Sequence, residues 1–225
     1  MSKTCLIIPI FNEQKNVSNF LEKIIKLNAD ETIVVDGKST DQSVEIVKGF
    51  NVKLIAADRG RAKQMNFGAS SSTSDILIFL HADSLIDNSA VYEIKESIAQ
   101  GFVGGGLSQR IDSKRVIFRF IESSGNIRAK LLKIFYGDQA IFVRRDVFFS
   151  IGGFDDVPIL EDILFSKKLK KNGRTCLLKS KVITSPRRWL KQGVIKTTLI
   201  NWIVIAGSLF SIPEKTLKKI YSETR

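Results

Sequence analysis

Along the first eighty residues the hydrophobic pattern alternates between two periods. Short, nearly unbroken apolar runs at 4–8, 32–35, 52–56 and 76–80 each stop within a few residues at a proline or a carboxylate. Runs of that length suit strands buried on both faces of a parallel sheet. Between the first two runs the period becomes helical. Val17, Phe20, Leu21, Ile24 and Ile25 make one apolar stripe, with Asn16 placed as its cap. Ser39 or Thr40 is placed to cap a second helix carrying Val44 and Val47, and residues 59–68 open a third. Strands alternating with short helices predict right-handed βαβ units, hence an α/β fold with a doubly wound, mainly parallel sheet flanked by helices.

The second half is less regular. Val91, Ile94 and Ile98 mark a helix that the glycine-rich stretch 101–106 should break, and 107–111 reads as a strand. Residues 116–134 look helical and mixed in character, and 140–143 suit a short strand. A helix from Arg145 meets a C-cap signal at Gly152-Gly153. Glu161-Asp162 opens a helix with Ile163, Leu164 and Leu169, 175–178 reads as a strand, and 185–189 reads as a loop. Residues 197–212 form an apolar run with Lys191 and Lys196 before it and Lys215, Lys218 and Lys219 after it. It is shorter than the ~20 residues that span a bilayer. Three dispositions stay open for it: lying among lipid headgroups, docking on the protein or a second chain, or spanning.

Charge sharpens this picture. The chain has 35 Lys+Arg against 23 Asp+Glu, a formal +12, yet the part up to Asp162 is close to neutral. Fifteen basic residues follow Asp162, opposed only by Glu214 and Glu223. A basic end on a neutral body points to an anionic partner, either a phosphorylated substrate, a membrane surface or nucleic acid. Hydrophobic content of 44% and charged content of 26% exclude a disordered chain. Cys5 and Cys176 have no CxxC spacing and read as buried free thiols of a reducing compartment. No signal-peptide pattern follows Lys3, so the expected location is cytoplasmic.

Candidate chemistry falls where predicted strands end. Asp36, Asp83 and the pair Glu161-Asp162 stand there, and in open α/β sheets such ends face the ligand. Carboxylates gathered in one pocket would need a cation among them, and oxygen ligands favour Mg²⁺ or Mn²⁺. Such an ion takes further ligands from phosphate, and Arg59, Arg61, Lys63, Arg187 and Arg188 could complete an anion site. A nucleotidyltransferase would use similar parts but needs a glycine-rich phosphate loop where this chain has Pro9-Ile-Phe-Asn12-Glu13. A non-catalytic basic protein binding membrane or nucleic acid is the other alternative. Nucleic acid is disfavoured, because no reading module or aromatic-interleaved basic cluster is present.

Taken in order, these motifs resemble the family 2 glycosyltransferases of GT-A fold. Leu-Ile-Ile-Pro-Ile-Phe-Asn12-Glu13 is similar to the family's opening strand and loop, and Val-Val-Asp36-Gly-Lys-Ser-Thr-Asp41 to its nucleotide-binding turn. Gly60-Arg61-Ala-Lys-Gln-Met-Asn66-Phe-Gly68 resembles the helix beneath the sugar nucleotide. Phe-Leu-His81-Ala-Asp83 occupies the Asp-X-Asp position. Tyr136-Gly137-Asp138-Gln139, Gly152-Gly153-Phe154 and Leu-Glu161-Asp162 resemble the acceptor segment and the Glu-Asp motif.

The likeness implies a GT-A domain over residues 1–190 and a basic, apolar C-terminal helical segment over 191–225. It implies an inverting transfer from a nucleoside-diphosphate sugar, UDP-linked by family habit, to an acceptor hydroxyl or carboxylate. By position, Pro9, Asn12, Glu13 and Asp36 would hold the nucleoside, Asp83 the metal, and Arg61, Arg187 and Arg188 the diphosphate. Gly137, Asp138, Glu161 and Trp189 would face the acceptor, and Asp162 would be the general base, kept ionised by its helix N-terminus. His81 replaces the first Asp of Asp-X-Asp, leaving metal ligation, ribose contact or packing open to it. The His-Ala-Asp variant resembles a small bacterial branch associated with carotenoid or other lipid-like acceptors. An amphiphilic acceptor fits a chain whose C-terminal segment meets the inner face of the membrane or a homodimer partner.

Overall fold

The computed structural model describes residues 2–209. Its eight strands form one sheet in the order β3 (Lys53–Ala56), β2 (Glu31–Asp36), β1 (Thr4–Ile10), β4 (Ile76–Phe79), β7 (Phe142–Arg144), β6 (Gly104–Ile111), β8 (Thr175–Thr184), β5 (Ser84–Ile86). The first four are β1 (Thr4–Ile10), β2 (Glu31–Asp36), β3 (Lys53–Ala56) and β4 (Ile76–Phe79), all parallel, with Ile7 opposite Ile33 on one side and Phe79 on the other. Three helices connect them: α1 (Val17–Ile24), α2 (Ser43–Lys48) and α3 (Arg61–Ser70). The remaining strands are β5 (Ser84–Ile86), β6 (Gly104–Ile111), β7 (Phe142–Arg144) and β8 (Thr175–Thr184). β7 runs antiparallel to β4 and β6, β8 is parallel to β6, and β5 is antiparallel to β8. The remaining helices are α4 (Ala90–Ala99), α5 (Val116–Leu132), α6 (Arg145–Ser150), α7 (Glu161–Lys171), α8 (Arg187–Gln192) and α9 (Val194–Leu209).

Period-two alternation sends each strand's residues to two cores. Leu6, Ile8, Val34 and Ile78 meet Val17, Phe20, Leu21 and Ile24 of α1 and Val91 and Ile94 of α4. Cys5, Ile7, Val35, Leu77 and Phe79 meet Met65 of α3 and the rings of Phe148, Phe154 and Phe165. Both faces are therefore dry, which is why β1 and β4 read as unbroken apolar runs. Both cysteines are free, Cys5 buried and Cys176 half-buried.

Several local expectations are corrected. α4 does end before Gly101, but the strand expected from Leu107 begins at Gly104, and Gly104, Gly105 and Gly106 lie in β6 because its neighbours come too close for a side chain: a Cβ on Gly105 would lie 2.0 Å from the Cys176 carbonyl oxygen. The short segment Ser84–Ile86 adds a strand that its pattern did not suggest. Of the loop expected over 185–189, residues 187–189 belong instead to α8. Asn16 stands at the N-cap of α1 without a side-chain cap bond, and α2 starts at Ser43, beyond Ser39 and Thr40. Of the late apolar run, residues 210–212 lie outside the described residues, as do Lys215, Lys218 and Lys219. No helix among the described residues is long and apolar enough to cross a membrane.

Candidate active site

Parallel strands carry their carboxyl ends to one edge, and there the loops after β1 and β2 are laced together. Asn12 adopts a left-handed backbone (φ 54°); its N–H donates to Ser39 Oγ at 2.9 Å, and its Oδ1 accepts from the Thr40 N–H at 2.9 Å. Asp36, buried at the end of β2, accepts from the Ser39 N–H (3.0 Å) and Ser39 Oγ (2.5 Å). Ser39 and Thr40 thus fasten the loop instead of capping α2. The Glu13 N–H donates to Ser43 Oγ at 2.7 Å. Beneath them Gln64 of α3, 4% exposed, donates from Nε2 to the carbonyls of Ile10 and Val35, both at 2.8 Å. Sequence reasoning missed Gln64. A polar side chain on the sheet-facing side of a helix was its only signal.

Asp83 lies just past β4 and is exposed, accepting from Ser84 Oγ at 3.1 Å. Its charge reaches both ways along the edge. Burial raises the pKa of Glu13, an Asn16 hydrogen bond opposes the shift, and Asp83 adds to it, with Arg187 opposing. Burial likewise pushes Asp138 up to about 6, opposed by Arg128 and reinforced by Asp83.

The far side of the edge is built by α7 and the tight turn Gly137–Gln139. Asp162 receives the Gly137 N–H on Oδ2 at 2.6 Å and the Ile163 N–H on Oδ1 at 2.7 Å. Half-buried by surface exposure yet closely packed around, it is pushed up to about 7, by burial first and then by the neighbouring charge of Glu161. The expectation that the helix N-terminus keeps it a weak, fully ionised base is therefore corrected, because burial and Glu161 outweigh the N–H donors and Arg61. Glu161, 4% exposed, is paired with Arg61 Nη1 at 3.0 Å. A Cβ on Gly137 would lie 2.7 Å from His81 Nε2 and Cε1 and 3.6 Å from Asp162 Oδ2, so ring, turn and carboxylate are packed as one unit.

Two further residues escaped the sequence reading. The Arg128 guanidinium lies 3.5 Å from the centre of the Tyr136 ring, and Gln109 Nε2 donates to Asp138 Oδ2 at 2.5 Å. The Tyr136 hydroxyl and Asp138 Oδ1 are buried without a hydrogen-bond partner among the described residues.

Pro9 lies in β1 and pairs in register with Val35, one residue before Asp36. Arg187 and Arg188 open α8. Trp189 is 8% exposed and packs edge-on against Phe118, ring centroids 6.0 Å apart, beside Ile111. It thereby packs on the inner side of α5. Among the described residues no three His, Cys, Asp or Glu side chains form a ligand set for a metal ion. Asp36 accepts from Ser39 and Asp162 from Gly137 and Ile163, and of the three carboxylates Asp83 is the exposed one. A separate cavity of about 490 Å³, lined by Thr73, Asp75, Arg144 and Asp146, lies at the opposite ends of the strands.

The fold is that of GT-A glycosyltransferase structures. The chain is similar to the mannosyltransferase PcManGT of Pyrobaculum calidifontis, in complex with GDP-Man and Mn²⁺, with TM-score 0.70, 19% identity, and 99% of this chain and 69% of that one covered. It is also similar to S. aureus TarS in complex with UDP-GlcNAc, with TM-score 0.64, 17% identity and coverage of 81% and 58%. The Glycosyl transferase family 2 model matches residues 5–154, and the chain is a member of that family. Among its relatives are the probable glycosyltransferase YdaM of Bacillus subtilis (24% identical, 72% of this chain, 45% of that one) and the poly-beta-1,6-N-acetyl-D-glucosamine synthase of Staphylococcus aureus strain COL (24%, 74% and 45%). The chain thus spans about half the length of these relatives.

Proposed function

We propose that this chain transfers a glycosyl group from a nucleoside-diphosphate sugar, UDP-linked by preference, to a hydroxyl or carboxylate of an amphiphilic acceptor, inverting the anomeric carbon. Asp162 is the general base. The observation that supports this most is its setting: both oxygens are fixed by backbone N–H groups and its pKa is lifted to about 7. A base is most effective with a pKa near the working pH. The acceptor O–H gives its proton to Asp162 while its oxygen attacks the anomeric carbon, and the bond to the diphosphate breaks with both electrons leaving on phosphate oxygen. The buried Tyr136 hydroxyl and Asp138 Oδ1, without partners among the described residues, support placing the acceptor beside Gly137 and Glu161.

The laced loops of Pro9, Asn12, Glu13 and Asp36 form the nucleoside side, with Arg61 and Arg187 toward the diphosphate. Asp83 suits Mg²⁺ or Mn²⁺, since it is exposed and its charge already lifts Glu13 and Asp138, a negative field that a cation relieves. One or two carboxylates plus substrate oxygens are the usual Mg²⁺ ligands. A divalent ion held there supplies charge stabilisation to the departing diphosphate. His81 packs the Gly137 turn that holds Asp162. The GDP-Man and UDP-GlcNAc complexes of the similar structures support a nucleoside-diphosphate sugar as donor. An amphiphilic acceptor suits work at the inner face of the cell membrane.

The test is a thermal-shift panel of UDP, GDP, ADP and dTDP, each with and without Mn²⁺. UDP should raise the melting temperature most, and more with Mn²⁺. Absence of any nucleotide-dependent shift would overturn the reading.

A further inference from the structure

Helix α5 wears its apolar side outward. Val116, Phe120, Ile127 and Leu131 share one stripe, and they are 68, 68, 58 and 73% exposed. An ordinary surface helix puts polar residues there. The inward side of α5 is complete without them, with Phe118, Glu122 and Ala129 buried. Phe118 also packs on Trp189 of α8, with Ile121 and Val194 alongside, which joins α5, α8 and the start of α9 into one corner. α9 repeats the motif, with Ile195, Leu199 and Ile203 at successive turns and 74, 56 and 52% exposed.

The charge around this corner selects the occupant. Lys114, Arg115, Lys130, Lys191 and Lys196 are exposed beside the stripes. Between residues 113 and 133 the only carboxylate is Glu122, which is buried and bound to Arg119 at 2.8 Å and to the Ile111 N–H at 2.5 Å. Residues 185–209 contain no acidic residue. A second copy would set these positive charges against each other, and the cationic residues 210–225 would do the same. Apolar residues among cations that outnumber the carboxylates, of which Asp112 before α5 is the exposed one, fit a surface that offers both acyl chains and negative headgroups.

We propose that the outward stripe of α5, together with that of α9, docks this chain on an anionic lipid bilayer without crossing it. The inner side of the same helix braces the acceptor region. Asn126 exchanges hydrogen bonds of 2.8 and 3.0 Å with the Gln109 backbone, Gln109 holds Asp138, and Arg128 stacks on Tyr136. Docking through α5 therefore sets the acceptor pocket at the membrane face, a consequence that rests on the transferase reading above.

The experiment is co-sedimentation of the full chain with sucrose-loaded vesicles of phosphatidylcholine, alone or mixed with phosphatidylglycerol. The native chain should sediment with the mixed vesicles, and Phe120→Glu with Leu131→Glu should weaken that binding by about tenfold or more. Melting temperature and the UDP-induced shift should stay unchanged, since both side chains are on the surface. Should the glutamates disturb folding, Phe120→Ser with Leu131→Ser gives the same readout. Undiminished binding by a folded double variant would overturn the proposal, as would native binding indifferent to phosphatidylglycerol. So would a native dimer that the variant dissociates. Vesicle binding without any nucleotide-dependent shift would sink the transferase reading and leave the docking surface standing.

Discussion

On the side of the edge built by β1 and β2, Asp36 receives two hydrogen bonds from Ser39, and the donors come from a loop three residues away. On the side built by α7 and the Gly137 turn, Asp138 and Asp162 are enclosed and lifted to about 6 and about 7. There the partners are distant in sequence: Gly137 is 25 residues from Asp162, and Arg61 is 100 from Glu161. The difference suits the two tasks proposed for this edge. Donors arrayed on a carboxylate fix a shape that can recognise a nucleoside, whereas a crowded, poorly solvated carboxylate holds a proton near neutral pH. Asp83, exposed between them, is felt on both sides.

The sharpest way to break this division is Asp162→Asn. Turnover should fall by about 10³-fold while nucleotide-induced stabilisation is retained, because a positioned general base typically contributes 10²–10⁴. Loss of nucleotide binding in that variant would merge the two sides. In the native enzyme kcat/KM should climb with pH up to about 7 and then level off, since the base must be unprotonated to act. Stability should run the other way. A carboxylate whose folded pKa lies above its ordinary 3.8 stabilises the fold fully only below that value, and the contribution is lost as pH rises through about 7. Asp162→Asn should therefore raise the melting temperature more at about pH 8 than at about pH 5.

Asp83→Ala ranks next. It should remove the Mn²⁺-dependent part of the UDP shift, weakening metal-assisted binding by about tenfold or more, and should lower the pKa of Glu13 and Asp138, which NMR titration reads. Gly137→Ala pushes a methyl group into His81 and should cost about 1–3 kcal/mol in chemical denaturation. Turnover should drop more than nucleotide affinity. The smallest effect belongs to Ser39→Ala, about 1 kcal/mol of stability and a few-fold loss of nucleotide affinity, without change in the pH profile. A changed profile would couple the halves more tightly than their hydrogen bonds do.

The strands and helices of the first eighty residues were legible because both faces of the sheet are dry, so burial writes itself into sequence as unbroken runs at 4–8 and 76–80. Gly104 to Gly106 misled for the opposite reason: their role is the lack of a side chain beside Cys176 and Phe142, which no local pattern announces. Gln64, Gln109 and Arg128 stayed hidden because each earns its place through a partner at least eight residues away in sequence, often far more.

By itself, then, the sequence determined the alternating βα order, the family and the placing of carboxylates at strand ends, since these follow from periodicity and motif order along one chain. Tertiary structure decided how each carboxylate behaves. Whether Asp162 is a weak anion or a base near neutrality depends on what surrounds it, and burial together with the charge of Glu161 outweighs the N–H groups of Gly137 and Ile163 and the charge of Arg61. The outward turn of Phe120 and Leu131 was settled the same way, because the helical pattern of α5 has apolar residues on more than one side and only the sheet selects which of them to bury.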